Sequence, residues 1–416
     1  MAFSLENHMN PESRSGGIDM SDTGIVMPLY KQDIGYLQAA ISSVLSQSYG
    51  AFRFIIVIDG APEMIGPALH AAGGDPRVQL ITLPENKGVS SALNRGFDEL
   101  FQDPAITYVT WVSSDNVYYP SFVERLRQEL MQGPDSLGLV FSTFRQVDAG
   151  GNPLHDEQHQ QALIRYQSQP HHELLNASIV GVSFMYKSKY ARQISGYRLQ
   201  PVEDYDYWLR LTETCSMKFI PEILMDYRVN SAFSVSASLY SQGEHRRWRH
   251  AFQIAKYEAR ARRGIPLEMT ILMPVTDMTQ AEPLLDNLLE QHYSNCMIRL
   301  LDLTPEQGAA SFLSMMQDPR LIVTPRPHYS VVEALIQAIG ETVTRFVVCF
   351  GVKPYIAVTD LLYLTDLLRP LQATHAFSYY TDDHSTVGSG RGVQSIPPEW
   401  NYVYYTHRLH QALEQG

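Results

Sequence analysis

Short apolar runs alternate with segments of helical periodicity along the first 150 residues. The run at 52–60 is almost continuously apolar, which is typical of a strand buried on both faces of a parallel sheet. At 34–49 and 88–101, apolar side chains instead recur at helical spacing. This alternation predicts an α/β fold with a mixed, mostly parallel sheet and helices on both faces. The predicted strands lie at 23–30, 52–60, 77–84, 106–116 and 137–148.

Three further segments are expected to complete this unit. The stretch 154–175 is rich in His and Gln and is predicted to loop across a rim of the sheet. Residues 178–197 are predicted to form a strand, a helix and a glycine turn. Residues 202–214 begin with acidic side chains and continue with helical periodicity, and the helix dipole favours acidic residues in a first turn.

A second series of similar blocks follows in the same order. MTILMPV at 269–275 resembles TGIVMPL at 23–29, and DPRLIVTP at 318–325 resembles DPRVQLITLP at 75–84. Because five blocks match in order, residues 269 to about 390 are predicted to be a second, eroded copy of the first sheet unit. The predicted parts are a flexible tail (1–22), a first α/β domain (23–243), a basic linker helix (244–268) and a degenerate domain (269–416).

The linker helix is strongly basic. Residues 244–263 carry seven Lys or Arg and two Glu side chains, a local net charge of +5. Such a stretch is predicted to present a solvated basic face between two domains. The alternative is a docking strip for an anionic acceptor or a membrane surface.

Composition narrows the possible partners. A chain of 416 residues with 44% hydrophobic residues can build real cores, and its formal net charge of −12 argues against general nucleic-acid binding. Its three cysteines lie far apart and give no disulfide framework. Without a signal peptide or an apolar run of about 20 residues, the protein is expected to be soluble and cytoplasmic, with at most peripheral membrane contact. The oligomeric state stays open.

Two carboxylates stand at predicted strand ends. Asp59 ends the strand at 52–60, and Asp115 follows the strand at 106–116 with Asn116 beside it. Ligands bind at the carboxyl ends of strands in such sheets, so a shared site is expected. One carboxylate there can accept from a nucleobase N–H, and another can ligate a divalent cation on phosphate oxygens.

Several blocks together resemble glycosyltransferase family 2, which has a GT-A fold. They are GIVMPLY, IIVIDG, DPRV, ENKGVSSALNRGF, WVSSDNVYYPSF and VEDYDYWLRL, and the resemblance covers roughly residues 23–235. It implies an inverting transferase that moves a sugar from a nucleotide-diphosphate sugar to a glycan or other hydroxyl acceptor, assisted by Mg²⁺ or Mn²⁺.

The resemblance also implies roles for individual residues. Pro28 and Tyr30 would lie beside the base and ribose, and Asp59 would hold the nucleobase. The nucleotide side would further be lined by Lys87, Asn94 and Ser114.

The same resemblance assigns the metal and the base. Asp115 would ligate the metal, and Asp204 would be the general base that deprotonates the acceptor hydroxyl. Glu203 and Asp206 are the competing base candidates; Glu203 could instead contact the acceptor, and Asp206 could face solvent. Trp208 and Arg210 belong to the same motif, where the Trp could equally be core packing.

The sequence departs from the family pattern in two places. Ser113 stands where the first Asp of the metal motif is expected, and Asn230 stands where many members have His. Neutral side chains are poorer metal ligands. A non-catalytic nucleotide-sugar or glycan binding module is therefore the alternative function. A nucleotidyltransferase is disfavoured, because residues 29–37 lack a Gly-rich basic loop.

The second copy is expected to be catalytically silent. Asp302 matches Asp59, but Lys353 stands where Asp115 does and cannot ligate a cation. Ser330 and Ile336 replace Gly88 and Asn94.

Four histidines cluster in the predicted rim loop, at positions 155, 159, 171 and 172. A zinc site is the alternative there. A solvent-facing, Gln-rich loop is the preferred interpretation, because no helix is predicted there and the stretch has no HExxH motif and no cysteine nearby. Such a loop could form a lid on the acceptor side.

Overall fold

The computed structural model describes residues 21–229, 241–305, 308–311, 318–381 and 384–415. Most of the predicted tail and Asn230 lie outside these ranges. Within them the chain forms two α/β units, each built on its own sheet. The predicted fold class is confirmed: both sheets are mixed and rich in parallel pairs, with helices on their faces.

The first unit contains eight strands among the described residues, in the order β3-β2-β1-β4-β7-β6-β8-β5. Apolar side chains on opposite faces of this sheet form two separate cores. The strands are β1 Thr23–Leu29, β2 Phe52–Asp59, β3 Val78–Leu83, β4 Tyr108–Trp111, β5 Val117–Tyr118, β6 Leu137–Val147, β7 Phe184–Lys187 and β8 Ser216–Arg228. The helices are α1 Ile34–Leu45, α2 Ile65–Ala72, α3 Val89–Leu100, α4 Phe122–Gln132, α5 Glu157–Gln167, α6 Ser188–Ala191 and α7 Glu203–Leu211.

A 21-residue helix, α8 Gln242–Arg262, leads to the second unit. Its described strands follow the order β11-β10-β9-β12-β15-β13-β14. These are β9 Met269–Val275, β10 Cys296–Asp302, β11 Leu321–Pro325, β12 Phe346–Cys349, β13 Phe377–Tyr380, β14 Val387–Gly390 and β15 Val403–Tyr405. The helices are α9 Met278–Leu289, α10 Val331–Gly340, α11 Asp360–Leu368 and α12 Thr406–Gln415. No helix within the described ranges is long and apolar enough to cross a membrane.

The two sheets share particular contacts as well as strand order. In the first unit, Arg77 pairs with Asp75 and donates to the carbonyl of Leu45 at the end of α1 (2.8 Å). In the second unit, Arg320 pairs with Asp318 and donates to the carbonyl of Leu289 at the end of α9 (3.2 Å).

Two glutamines make a second matching set of contacts. Gln47 bridges the carbonyl of Tyr119 and the N–H of Val123. Gln291 bridges the carbonyl of Ala357 and the N–H of Leu361 in the same way.

The prediction that residues 154–175 form a loop across the rim of the sheet is wrong. Residues 157–167 form α5, whose first turn is capped by the Asp156 carboxylate accepting from the His159 N–H, and His171–Leu175 form a 3₁₀ helix. The high Gln content hid the helix, because its apolar face is short. His155 and His159 stack at 5.1 Å between ring centroids, and the described residues contain no cluster of three or more metal-ligating side chains.

The prediction that the linker helix presents a solvated basic face is also wrong for part of α8. Arg249, Lys256 and Arg260 are buried. Arg249 binds Glu290, and Arg260 donates to the Ser294 hydroxyl (3.0 Å) and to the Leu175 carbonyl (3.2 Å). Arg249 and Arg260 therefore link α8 to the second unit, and Arg260 also reaches the first unit. Because these two side chains and Lys256 are buried, they are not accessible as parts of a docking strip.

Candidate active site

The turn that follows β4 holds Asp115 in a fixed position. The Ser113 hydroxyl donates to the Asp115 carboxylate (2.5 Å), and the Ser113 N–H donates to the Tyr118 hydroxyl (2.8 Å). Asp115 is 7% exposed. The turn is thus ordered by its own serine and by the buried Tyr118.

Arg228, at the end of β8, makes hydrogen bonds to the same turn. Its N–H donates to the Asn116 side chain (2.9 Å), and its guanidinium donates to the Asp115 carbonyl (3.1 Å). The guanidinium also lies 4.0 Å from the centre of the Tyr36 ring. Arg228 therefore positions the backbone around Asp115.

Asp204, in the first turn of α7, lies near this turn. The indole N–H of Trp111, the last residue of β4, donates to the Asp204 carboxylate (3.0 Å). The pKa of Tyr118 is raised by burial and further by the charges of both Asp115 and Asp204. The predicted metal ligand and the predicted base therefore face one region around Tyr118.

The two leading base candidates differ from ordinary surface carboxylates. Burial, and then the charge of Glu203, raise the pKa of Asp204 well above its usual range. Burial raises the pKa of Glu203, whose Oε2 atom has no hydrogen-bond partner among the described residues. Carboxyl groups with raised pKa values are suited to accept and return protons near neutral pH.

Asp206 is not a free base. It is completely buried and receives Arg210 (2.9 Å) and Arg198 (3.1 Å). The expectation that it could face solvent is wrong. Arg210 also donates to the Gly196 carbonyl (2.8 Å), so this ion pair fixes the turn before α7.

Trp208 belongs to the core. It is completely buried and packs edge-on against Phe184, with the ring centroids 4.4 Å apart. Of the two readings left open by the sequence, core packing is the one this geometry supports.

The carboxylate predicted to hold a nucleobase is engaged by backbone. Asp59 accepts from the N–H groups of Lys87 (2.9 Å) and Gly88 (2.8 Å) and is 3% exposed. Gly88 has φ +86, and a Cβ atom there would collide with the Gln200 side chain. Asp59 therefore orders the loop before α3. Each of its carboxylate oxygens already accepts one backbone hydrogen bond, so a ligand could bind only to the lone pairs that are left.

The other residues predicted to line the nucleotide side fall into two groups: some have solvent-exposed side chains, and some make contacts within the protein. Tyr30 is exposed and Pro28 partly exposed. The ammonium group of Lys87 pairs with Glu85 at 3.2 Å. The side chain of Asn94 accepts from the Tyr197 N–H (2.7 Å) and donates to the Tyr197 carbonyl (2.9 Å). Asn94 thus fastens α3 to the turn before α7.

The donor atoms at Asp115 suit a weakly ligated hard cation. One carboxylate is present, and the nearby Ser114 hydroxyl accepts from the Gln32 amide (3.1 Å). Mg²⁺ commonly takes one or two carboxylates and completes its coordination with waters and substrate phosphates. These residues therefore fit a cation that needs the donor diphosphate for most of its ligands.

The equivalent strand ends of the second unit are arranged differently. When β9 is aligned on β1, Val275 is the equivalent of Leu29. Val275 pairs with Asp302 on the neighbouring strand, whereas Leu29 pairs with Ile58, so Asp302 is the equivalent of Ile58. The match of Asp302 to Asp59 is therefore wrong by one residue. Asp302 accepts from the N–H of Thr304 and of Ala309, within its own loop.

Trp111 and Gln200 were missed at the sequence level. Trp111 reads as an ordinary strand residue, and Gln200 has no motif around it. With its side-chain amide turned so that both polar atoms face suitable partners, Gln200 accepts from the N–H groups of Val89 and Ser90 and caps α3 from a distant loop. Only the folded chain brings these partners together.

A cavity of about 730 Å³ lies beside this region. It runs along α3, and the segment 198–200 and Arg247 of α8 form its other sides. Its lining is mostly polar and includes Lys87 and Asn94.

The first unit is similar in sequence to known proteins. Residues 24–194 match the family described as Glycosyl transferase family 2. An uncharacterized glycosyltransferase of Rickettsia conorii is 26% identical over 210 residues, which cover 50% of this chain and 34% of that relative. The O-antigen biosynthesis glycosyltransferase WbnJ of Escherichia coli is 24% identical over 227 residues, covering 52% of this chain and 82% of WbnJ. These matches support a transferase.

The sequence matches cover only part of the proteins concerned. The chain spans about a third of the length of the Rickettsia relative. A solved structure, the mannosyltransferase PcManGT from Pyrobaculum calidifontis in complex with GDP-Man and Mn²⁺, has a TM-score of 0.41 and 13% identity over 58% of this chain and 64% of its own. That similarity is too low to transfer a donor or a metal to this chain.

Proposed function

We propose that the first unit is an inverting glycosyltransferase that moves a sugar from a nucleotide-diphosphate sugar to a hydroxyl of a glycan or other acceptor. The observation that carries this proposal is the hydrogen bond from Trp111 to Asp204 beside the turn of Asp115. It brings a proton acceptor and a cation ligand, more than 80 residues apart in the chain, to one end of the sheet.

Asp204 acts as the general base in this proposal. Its carboxylate accepts the proton of the acceptor hydroxyl while that oxygen attacks the anomeric carbon from the face opposite the leaving diphosphate. Its raised pKa makes it a stronger base than an exposed carboxylate. Glu203, with an unpartnered oxygen, is placed to contact the acceptor or to share the proton.

Asp115 would hold Mg²⁺ or Mn²⁺, with Ser113 fixing the orientation of the carboxylate. The cation, when bound, neutralises charge on the departing diphosphate. Pro28, Tyr30, Asp59, Lys87, Asn94 and Ser114 are proposed to line the nucleotide side.

We further propose that the second unit is a degenerate copy of the first. The shared strand order, the Asp-Arg pairs and the two bridging glutamines support this. In the same register Lys353 takes the place of Asp115, so the second unit has no carboxylate for a cation at that position. A cytoplasmic location stays a prediction.

A binding module without transferase activity is the second candidate. Ser113 in the metal motif favours it, because the turn then offers one carboxylate instead of two. The two candidates differ in whether the donor is consumed.

A donor screen separates the candidates. The full chain is incubated with Mn²⁺ and a panel of UDP-, GDP- and dTDP-sugars, and both binding and release of free nucleotide are measured. The transferase proposal expects one donor to bind and to be slowly hydrolysed by wild type, with hydrolysis lost in Asp204→Asn. Binding with no nucleotide release in the presence of candidate acceptors favours the binding module.

A further inference from the structure

Gln200 belongs to the turn that leads into α7. This turn is closed by a hydrogen bond from the Val202 N–H to the Leu199 carbonyl (2.8 Å). The helix begins at the next residue, Glu203, and Asp204 follows in its first turn. The position of this turn therefore decides where the proposed base lies.

The side chain of Gln200 reaches from this turn to the start of α3. With its amide turned so that both polar atoms face suitable partners, its carbonyl accepts from the N–H groups of Val89 (2.9 Å) and Ser90 (2.8 Å). It also lies against Gly88, where an added Cβ atom would be 2.5 Å from the amide. One side chain thus satisfies two of the backbone donors that a helix leaves unpaired at its start.

The residues just before Val89 belong to the nucleotide side of the proposed site. The N–H groups of Lys87 and Gly88 both donate to the Asp59 carboxylate. A short path of hydrogen bonds and backbone therefore connects Asp59, through the start of α3, to the side chain of Gln200. This path joins the carboxylate proposed to hold the nucleobase to the segment that carries the proposed base.

The turn before α7 has a backbone conformation that its own sequence disfavours. Leu199 has φ +57, in the left-handed region that favours glycine. Such a conformation persists where surrounding contacts fix it, and residues of this kind cluster at functional sites. The two neighbours of Leu199 supply these contacts: Arg198 pairs with Asp206, and Gln200 is anchored on α3.

We propose that Gln200 is a positioning residue that couples the nucleotide loop to the base. This rests on the proposed transferase function. A nucleotide that orders residues 85–88 also orders the first turn of α3, and Gln200 transmits this order to the turn before α7 and so to Asp204. The base then reaches its working position only with the donor in place.

Hydrogen exchange of the backbone tests this link without any ligand. Gln200→Met has nearly the same length but offers no acceptor to α3. Exchange should become faster by about fivefold in both segments, 88–92 and 202–206, as expected for the loss of one or two hydrogen bonds. Gln193→Met is the matched control, because the exposed Gln193 side chain donates to the Lys189 carbonyl on its own segment. Faster exchange confined to 88–92 would overturn the link.

Nucleotides test the coupling itself. UDP, GDP and dTDP are each added with Mn²⁺, and the one that binds most tightly should slow exchange at 202–206 in wild type. In Gln200→Met it should bind with an affinity within about twofold of wild type but no longer slow exchange there. Slowing that is retained in the variant contradicts the coupling. No binding of any nucleotide by wild type contradicts the transferase function, whereas the ligand-free exchange still supports or overturns the link.

The rate of the reaction provides a readout that a merely structural role would not move. With the donor sugar identified by the screen, Gln200→Met should lower kcat about ten- to hundredfold and leave the donor KM within about twofold, because a misplacement of about 1 Å can cost about 100-fold. Gln200→Glu keeps acceptor oxygens for both N–H groups of α3 and should recover most of kcat. Equal losses of kcat in the two variants, or a wild-type kcat in Gln200→Met, would overturn the positioning role.

Discussion

Asp204 accepts a hydrogen bond from the Trp111 indole and also lies close to the negative charge of Glu203. The hydrogen bond favours the charged form of the carboxyl group, and burial and the neighbouring charge favour the neutral form. Burial is the largest of these effects, so the pKa is raised. A base in this state accepts a proton readily, at a cost to the stability of the folded chain.

Asp204→Asn should abolish transfer while keeping donor binding. The amide is nearly isosteric with the carboxylate but cannot accept the hydroxyl proton, and removing a general base typically lowers the rate by about 10²–10⁴-fold. Donor affinity and transfer rate are measured in the same preparation. Transfer close to the wild-type rate would move the base to Glu203, which Glu203→Gln then tests.

The same variant should change stability with pH. A carboxyl group with a raised pKa in the folded state contributes stability below its unfolded pKa of about 3.9, and this is lost as pH rises through the folded pKa. Asp204→Asn should therefore exceed wild type in Tm at about pH 8, and the difference should shrink towards about pH 4. A Tm difference that is constant over this range would contradict the raised pKa.

Trp111→Phe should shift the pH profile of transfer. Losing the indole N–H removes a group that lowers the pKa of Asp204, so the acid limb of the kcat profile should move to higher pH. Trp400→Phe is the matched control, since Trp400 lies in the second unit and packs against the core of that unit. An unchanged profile with only a lower Tm would show that Trp111 is structural alone.

Asp115→Ala should remove the metal dependence of nucleotide binding. No other carboxylate is present in the turn at 111–116. UDP affinity is measured with and without Mn²⁺, and Asp135→Ala, an exposed carboxylate paired with Lys189, is the control. Unchanged Mn²⁺ dependence in Asp115→Ala would show that the metal is held elsewhere.

At the scale of elements, α7 and the turn before it are joined by charge. Asp206 is buried between Arg198 and Arg210, and Arg210 also binds the backbone at Ser195 and Gly196. Asn94 of α3 fastens the next residue, Tyr197. The base on the first turn of α7 is thus placed by contacts from α3 and from its own third turn.

Arg210→Ala should destabilise the first unit strongly. It removes the more deeply buried of the two arginines that pair with Asp206 and leaves only the partly exposed Arg198, and breaking a buried pair costs up to about 3–5 kcal/mol. Urea unfolding measures the loss. Replacing both partners, Asp206→Asn with Arg210→Gln, also removes the buried carboxylate that has lost its main partner, and should recover part of the stability. No recovery would show that the contacts of Arg210 with the turn dominate.

At the scale of the molecule, α8 joins the two units through basic side chains, of which Arg249 and Arg260 are buried. Arg246 and Arg249 bind Asp286 on α9, and Arg260 reaches both Ser294 and Leu175. Burial lowers the pKa of Lys256 well below its usual range. The second unit therefore supplies hydrogen-bond partners for the basic side chains of α8. The same helix also packs on α7.

Removing residues 265–416 should leave the nucleotide region formed but weaken the protein. The truncation uncovers the buried face of α8, so we expect a lower Tm and binding of an apolar dye, with UDP affinity retained. Calorimetry and UDP titration of the soluble truncation check this. Complete loss of UDP binding in a folded truncation would show that the second unit contributes to the site.

The alternation of strands and helices determined the α/β class, because periods of 2 and 3.6 are local properties of the chain. The position of Asp115 also follows locally, since it immediately follows a buried strand. The helix at 157–167 was hidden by its polar composition, and its place depends on packing against β6. The burial of Arg249 and Arg260 was equally hidden, because charge patterning does not show which acids a distant unit supplies. Only the tertiary structure decided that Asp206 is an ion-pair partner and that Trp111 holds Asp204, since both depend on contacts between segments far apart in sequence.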